Sequence, residues 1–164
     1  MAHPIMAAGV FAVAVAGAAT PPRGRCEEPG PREAPPPLRA TVSVGDGLAV
    51  LEVLFDRHRG RVTVCAFEGG SGEPLRLRAN VLSLYATPDP SEEGSAPIHV
   101  WLDPFEPETD DRGIKWATRF SGESPRLRGA GAFDGLLSQL LVHSRPFWGI
   151  TFHVTAPRSS APRR

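Results

Sequence analysis

Three histidines in the second half of the sequence are the first residues whose chemistry could define a function. His99, His143 and His153 each lie in a run of alternating polar and apolar residues, which is the pattern of a β-strand. Imidazole nitrogens bind copper and zinc, and neighbouring strands could bring two or three of them together. No two histidines show the His-x-His or His-x-x-x-His spacing. They are therefore weak metal candidates, and the alternative is that they are solvated residues on outward faces.

A second group of residues that could do chemistry is acidic. The segment from Asp103 to Asp111 holds five carboxylates in nine residues. Such oxygen ligands suit calcium, but the EF-hand spacing with its central glycine is absent. Paired carboxylates act as general acid and base only where their surroundings separate their pKa values, and nothing in the sequence indicates such a cleft. We expect a solvated acidic loop between strands.

Catalytic and cofactor motifs are weak elsewhere in the sequence. The serines lie in no nucleophile-elbow pattern. The glycines of "GAGAFDG" resemble a dinucleotide-binding loop, but Asp134 stands where that loop needs its last glycine, and no helix is predicted to follow. We therefore predict a non-enzymatic protein without a cofactor.

The elements that would position these residues lie between two predicted tails. An apolar run within residues 1–19 is too short to span a bilayer comfortably and is typical of a signal peptide. Residues 20–38 are a Pro-rich linker and residues 156–164 a similar disordered tail, which leaves 39–155 as the folded domain. We expect an exported protein, periplasmic or associated with the cell envelope, with no integral membrane span after signal removal. The 18 basic and 18 acidic residues balance, which argues against nucleic acid as a partner.

The two cysteines leave several alternatives open. Cys26 lies close behind the signal peptide, but the arginines just before it are unlike the flank of a lipidated cysteine. Cys26 and Cys65 could form a disulfide in an oxidising compartment. Cys65 lies within a predicted strand, where a free buried cysteine acts as a small hydrophobe, and this interpretation is favoured for Cys65.

The folded region has the short apolar runs and frequent turn residues that are typical of an all-β protein. Short apolar runs alternate with Gly, Pro, Asp and Asn, and the runs starting at Leu48 and Arg61 form a hairpin around Gly60. The run from Leu136 to Ser144 also fits a helical period, but its flanks favour a strand. Seven or eight antiparallel strands without a covering helix predict a single immunoglobulin-like β-sandwich. We expect at least two of Trp101, Trp116 and Trp148 to lie in its core.

Two segments resemble a known family. "LEVLFDRHRGRVTVCAF" and "FSGESPRLRGAGAFDG" are similar to segments of small exported proteins and lipoproteins encoded in planctomycete genomes. The resemblance implies export and a β-sandwich, and it carries over no catalytic residue. These proteins often open the domain with His-Gly-Gly, where this chain has Val44 to Gly47. The shared motif residues are Phe120, Gly122, Ser124, Gly129, Phe133, Asp134 and Gly135.

The second of these segments is predicted to form a corner between strands. Phe120 and Phe133 would be buried at its two ends, and Ser124 and Asp134 would hydrogen-bond local backbone amides.

The sequence does not identify a reaction or a ligand. The function that fits it best is an exported, non-enzymatic domain that interacts with an envelope protein or a surface ligand. One alternative is a periplasmic copper- or zinc-binding protein that uses His99, His143 and His153. Another is a small carbohydrate-active or hydrolytic module built on exposed aromatic residues and the acidic loop.

Overall fold

The computed structural model describes Cys26 and residues 35–88 and 96–155. The predicted signal peptide 1–19, most of the linker 20–38 and the tail 156–164 lie outside the described residues. The strands are β1 Leu38–Val44, β2 Ala49–Asp56, β3 Arg61–Glu68, β4 Leu77–Arg78, β5 Leu82–Pro88, β6 Ile98–Pro104, β7 Glu108–Thr109, β8 Lys115–Ala117, β9 Arg119–Glu123, β10 Ala132–Val142 and β11 Arg145–Thr155.

Eight of these strands form one closed antiparallel barrel. The order around the barrel is β1-β11-β10-β5-β6-β9-β3-β2, and β2 pairs with β1 to complete the ring. The contact between β1 and β11 is recorded as a single pair, Arg39 with Thr155. Closure gives each barrel strand a neighbour on both sides, which removes the open edges of a sheet.

The predicted class, all-β with antiparallel strands, is confirmed, but the immunoglobulin-like sandwich is replaced by the barrel. A sandwich and a barrel bury the same alternate side chains, and they differ in whether the outer strands of the two sheets meet. Here β1 meets β11 and β9 lies between β6 and β3, so hydrogen bonding runs around the whole ring. The run from Gly113 to Phe120 is divided between β8 and β9.

Aromatic side chains fill the middle of the barrel. The rings of Phe55 and Phe133 meet edge to face with centroids 5.1 Å apart, and Phe152 meets Phe133 at 6.1 Å. Phe152 also lies over Gly135, its cross-strand partner, where an added Cβ would come within 2.3 Å of the ring. An eight-stranded barrel has an interior that side chains can fill, and these rings join β2, β10 and β11 across it.

The segment between β9 and β10 forms a corner at one end of the barrel. A short 3-10 turn, Pro125–Leu127, buries Leu127 completely, and Gly129 follows with φ of 79°. The corner contacts the β2–β3 hairpin, because the amide of Ser124 donates to the carbonyl of Gly60 at 3.0 Å.

A small three-stranded sheet, ordered β4-β8-β7, packs beside the barrel. Leu77 of β4 and Ala117 of β8 are buried in the same hydrophobic core as the barrel side chains, together with Leu75.

The long hairpin of β10 and β11 changes its inward face part-way along. Phe133 and Leu137 are buried at odd positions, and then Leu140 and Val142 at even ones, while Gly149 on β11 has φ of 61°. The predicted strand is confirmed here. The change of face explains why the leucines of this run also fit a helical period.

Cys26 is joined to Cys65 by a disulfide, so the favoured interpretation of Cys65 as a free cysteine is wrong. Cys65 faces outward from β3 and packs with Leu54 and Phe67 in a small cluster that Cys26 completes. The amide of Cys26 donates to Oε2 of Glu52 at 2.9 Å. The disulfide therefore fastens Cys26 to the outside of the β2–β3 hairpin.

Gly135→Ala tests the packing of Phe152 on Gly135. We expect the free energy of unfolding to fall by about 1–3 kcal/mol, because the new methyl group displaces the Phe152 ring within a filled core. Gly131→Ala is the matched control, since an added Cβ there meets nothing within 4 Å. Urea unfolding of both variants measures the difference, and equal midpoints would contradict this account of the core.

The disulfide gives a second prediction about stability. Replacing both Cys26 and Cys65 with serine should lower the free energy of unfolding by about 2–4 kcal/mol, because the cross-link restricts the unfolded chain. Thermal melts with and without a thiol reductant measure this effect. Reductant should lower the melting temperature of the native protein and leave that of the double variant unchanged. A native protein insensitive to reductant would show that the disulfide does not stabilise the fold.

Candidate functional site

The outer surface of the barrel has two unlike sides. On the side formed by β1, β2, β3 and β9, polar side chains are paired with one another. Arg61 forms an ion pair with Glu123 across β3 and β9. Beside it, the hydroxyl groups of Thr63 and Ser121 share a hydrogen bond at 3.1 Å. This side is also where the disulfide covers Leu54.

The side formed by β6, β5, β10 and β11 exposes large apolar side chains, and we call it the apolar wall. Of the seven large hydrophobic residues exposed in the described part of the chain, Phe105 lies outside this wall and is covered by the Arg119 guanidinium at 3.8 Å. The other six belong to the wall: Val81, which directly precedes β5, and Tyr85, Trp101, Leu136, Leu141 and Trp148 on its strands. Patches of this kind mark interaction surfaces.

The wall corrects the expectation about tryptophan. Trp101 is 59% exposed and Trp148 67% exposed, and only Trp116 is partly buried. The prediction that at least two of the three would be core residues is therefore wrong. On β6, Ile98, Val100 and Leu102 point inward, so the alternation of the strand requires Trp101 to point outward.

Strand register arranges the wall in rows. Tyr85 pairs with His99 on one side and with Leu136 on the other, and Leu136 pairs with Thr151. The Tyr85 and His99 rings are stacked with centroids 4.7 Å apart, and Trp101 meets His99 edge to face at 4.2 Å. We call Tyr85, His99 and Trp101 the aromatic strip.

Next to the aromatic strip lies an open groove of about 790 Å³. The polar end of the groove is formed by Asp134 and its cross-strand partners. Nδ1–H of His153 donates to Oδ1 of Asp134 at 2.5 Å. Thr87 lies on the other side of Asp134. The lining residues are Tyr85, Thr87, Pro97, Asp134, Gly135, Leu136, Thr151, Phe152 and His153.

The three candidate histidines are not brought together. His99 lies on β6 and His153 on β11, with β5 and β10 between them, which places their strands about 14 Å apart. His143 lies in the β10–β11 turn, where its Nε2 is 3.1 Å from Oε2 of Glu68. In the described part of the chain no three His, Cys, Asp or Glu side chains are grouped so that they could hold a metal ion.

The structure also brings together two residues that sequence reasoning did not pair. Ser83 Oγ and His99 Nε2 share a hydrogen bond at 2.6 Å across β5 and β6. This is the distance between a nucleophile and its general base in hydrolytic enzymes. Among the described residues, however, no carboxylate contacts His99 to orient its ring.

The motif residues of the corner are divided between core and surface. Phe120 and Phe133 are fully buried. Ser124 is buried too, but its side chain makes no capping bond to the 3-10 turn. Asp134 accepts a hydrogen bond from the side chain of His153, whereas the sequence predicted a backbone amide as the donor.

The two remaining motif glycines, Gly122 and Gly129, shape the backbone. A Cβ at Gly122 would lie 2.0 Å from the carbonyl oxygen of Trp101, so the residue allows β9 and β6 to approach. Gly129 adopts its positive φ where the corner enters the last hairpin, and its amide donates to the carbonyl of Arg57 at 2.8 Å.

The acidic loop contains one carboxylate with a defined structural role. Asp110 accepts hydrogen bonds from the Trp116 indole at 2.9 Å and from the amides of Ile114 at 2.8 Å and Arg112 at 3.0 Å. These bonds, the Trp116 bond above all, hold the pKa of Asp110 below its ordinary value of 3.8. Asp110 therefore fixes the turn between β7 and β8.

This arrangement predicts how stability depends on pH. Because the pKa of Asp110 is lower in the folded protein, its ionised form adds stability above about pH 3.8, and that stability is lost as pH falls through the folded pKa. Asp110→Asn loses the charge and the Trp116 bond, so its melting temperature should be lower than that of the native protein at pH 6. The difference should shrink below pH 3.8. Asp111→Asn is the control, and a constant difference at every pH would contradict the assignment.

Comparison of the chain with protein-family models, curated proteins and solved structures gives no match. Within the described residues, no helix is long and apolar enough to cross a membrane. The function is therefore argued from the apolar wall and from the groups that line its groove.

Proposed function

We propose that this protein is an exported, non-catalytic binding domain that attaches to a component of the cell envelope through its apolar wall. The observation that carries the proposal is the difference between the two sides of the barrel. On one side Arg61 pairs with Glu123 and Thr63 pairs with Ser121, while the other side presents six large apolar side chains to solvent. Exposing this much apolar surface is unfavourable unless a partner covers it.

The composition of the wall supports binding. Tyrosine and tryptophan dominate binding surfaces, because they bury much area and lose little side-chain entropy. Tyr85 and Trp101 lie in one contiguous strip with His99, and Leu136 continues the surface on the next strand. A partner that covered this strip would remove a large apolar area from water in a single contact.

The disulfide supports export. Disulfides form and persist in oxidising compartments and are rare in the cytosol. The bond between Cys26 and Cys65 is consistent with the signal peptide predicted for residues 1–19. It also occupies the thiol that lipid attachment at Cys26 would require. The resemblance to exported planctomycete proteins favours the same compartment.

The surroundings of Ser83 and His99 favour binding over catalysis. Hydrolysis through a serine needs donors aimed at the developing oxyanion, usually backbone amides that are free of other partners. Ser83 lies within β5, where it pairs with Trp101 of β6, and from Leu84 onward the same strand also pairs with β10. His99 is held between Tyr85 and Trp101 and lacks an orienting carboxylate among the described residues. The pair therefore serves to fix the orientation of the aromatic strip.

Co-sedimentation with a washed envelope fraction tests the proposal. The full chain, expressed with its own N-terminus, should pellet with the envelopes. Removing the exposed rings in Tyr85→Ala/Trp101→Ala should lower the bound fraction about tenfold, because aromatic residues at the centre of an interface carry most of the binding energy. Circular dichroism shows whether the variant is folded.

Phe105→Ala is the matched control, because Phe105 is about as exposed as Tyr85 but lies outside the wall. It should pellet like the native protein. A native protein that stays in the supernatant would overturn the proposal. Equal loss of binding in Phe105→Ala and in the wall variant would overturn it as well.

A further inference from the structure

We infer that the ligand of the apolar wall is a neutral saccharide, held in the groove beside the aromatic strip. This inference rests on the proposed binding function and identifies the chemical class of the ligand. A sugar ring has an apolar face of C–H groups and a rim of hydroxyl groups. The groove pairs an apolar floor with a polar rim in the same way.

The floor of the groove is formed by side chains that suit the apolar face of a sugar. Tyr85 and Leu136 are cross-strand neighbours, and both are more than a third exposed. Trp101 extends this surface beyond His99. Aromatic rings offer a large, rigid surface, against which C–H groups can pack.

The polar rim offers both donors and acceptors. Thr87 and Thr151 contribute hydroxyl groups, which donate and accept. The bond from His153 uses one oxygen of Asp134 and one nitrogen of the imidazole, so Oδ2 of Asp134 and Nε2 of His153 remain for a ligand. A row of hydroxyl groups on a sugar needs donors and acceptors side by side.

The charge of the groove disfavours ionic ligands. Among the described residues that line it there is neither lysine nor arginine, and its carboxylate, Asp134, is already bonded to His153. A phosphate, a nucleic acid or an acidic sugar would therefore find neither a lysine nor an arginine to bind. A basic ligand would meet a single carboxylate, one of whose oxygens already accepts a bond from His153.

The topology of the wall disfavours an extended peptide. Peptides that bind to sheets commonly add as a strand along an open edge, through backbone hydrogen bonds. At the groove, β10 pairs with β5 and with β11, and β5 pairs with β6 as well. The backbone groups of β5 and β10 are thus used within the barrel, and only side chains can meet the ligand.

Calorimetric titration with a panel of neutral oligosaccharides tests the inference, using chains of glucose, mannose, galactose and N-acetylglucosamine. At least one should bind at a single site and change the tryptophan fluorescence. Tyr85→Ala and Asp134→Ala should each weaken that binding at least about tenfold, since both residues line the groove. Phe105→Ala is the matched control, as Phe105 is about as exposed as Tyr85 but lies outside the wall and does not line the groove, and its affinity should match the native one.

Two outcomes would overturn the inference. One is that no neutral oligosaccharide binds, including the case in which an acyl chain, an acidic oligosaccharide or a peptide titrated in parallel binds in its place. The other is that binding occurs but is insensitive to Tyr85→Ala and Asp134→Ala. Envelope sedimentation separates this test from that of the proposed function. If the protein binds envelopes but no saccharide, only the inference of a saccharide ligand is overturned. If it binds a saccharide but not envelopes, only the proposed attachment to the envelope is overturned.

Discussion

The packing of Phe152 over Gly135 is the contact on which both the core and the groove depend. On the inner side of β10, the missing side chain of Gly135 leaves room for the Phe152 ring, which joins Phe133 and Phe55 at the centre of the barrel. On the outer side of the same strand, Asp134 and Leu136 flank this glycine and line the groove. This packed part of the core therefore lies next to the residues of the candidate site.

Closure of the barrel explains why the candidate site is on the outside. The interior of an eight-stranded barrel is just wide enough for its own side chains, and here phenylalanine, leucine and valine fill it. The groove beside Tyr85 and Asp134 opens to solvent on the outside of the barrel. Binding must therefore use outward-facing side chains, whose positions are fixed by strand register.

Much of the local structure could be predicted from sequence, because it depends on neighbouring residues. The alternation of the runs around Gly60 indicated a hairpin, and the structure confirms that β2 pairs with β3 along its length. The closure between β1 and β11 could not be predicted in this way. It joins Arg39 to Thr155, and no local pattern records a contact between residues so far apart in sequence.

Only part of the candidate site could be predicted from the sequence, because the site too depends on contacts between residues that are far apart in the chain. Alternation on β6 places His99 and Trp101 on one face, but the side of the sheet that faces water depends on the complete fold. The average tendency of tryptophan to be buried then predicted too many core tryptophans, since Trp101 and Trp148 are both exposed. The pairing of Asp134 with His153 depends on the register of β10 and β11, which no motif in the sequence states.

The central claim is that the wall formed by β6, β5, β10 and β11 is the surface that binds a partner. Hydroxyl-radical footprinting of the protein, alone and with envelope fractions, tests this claim at the level of single side chains. The account predicts that oxidation of Tyr85 and Trp101 falls when envelopes are added, while that of Phe105 is unchanged. Protection of Phe105 with continued oxidation of Tyr85 and Trp101 would show that another surface binds and would contradict the account.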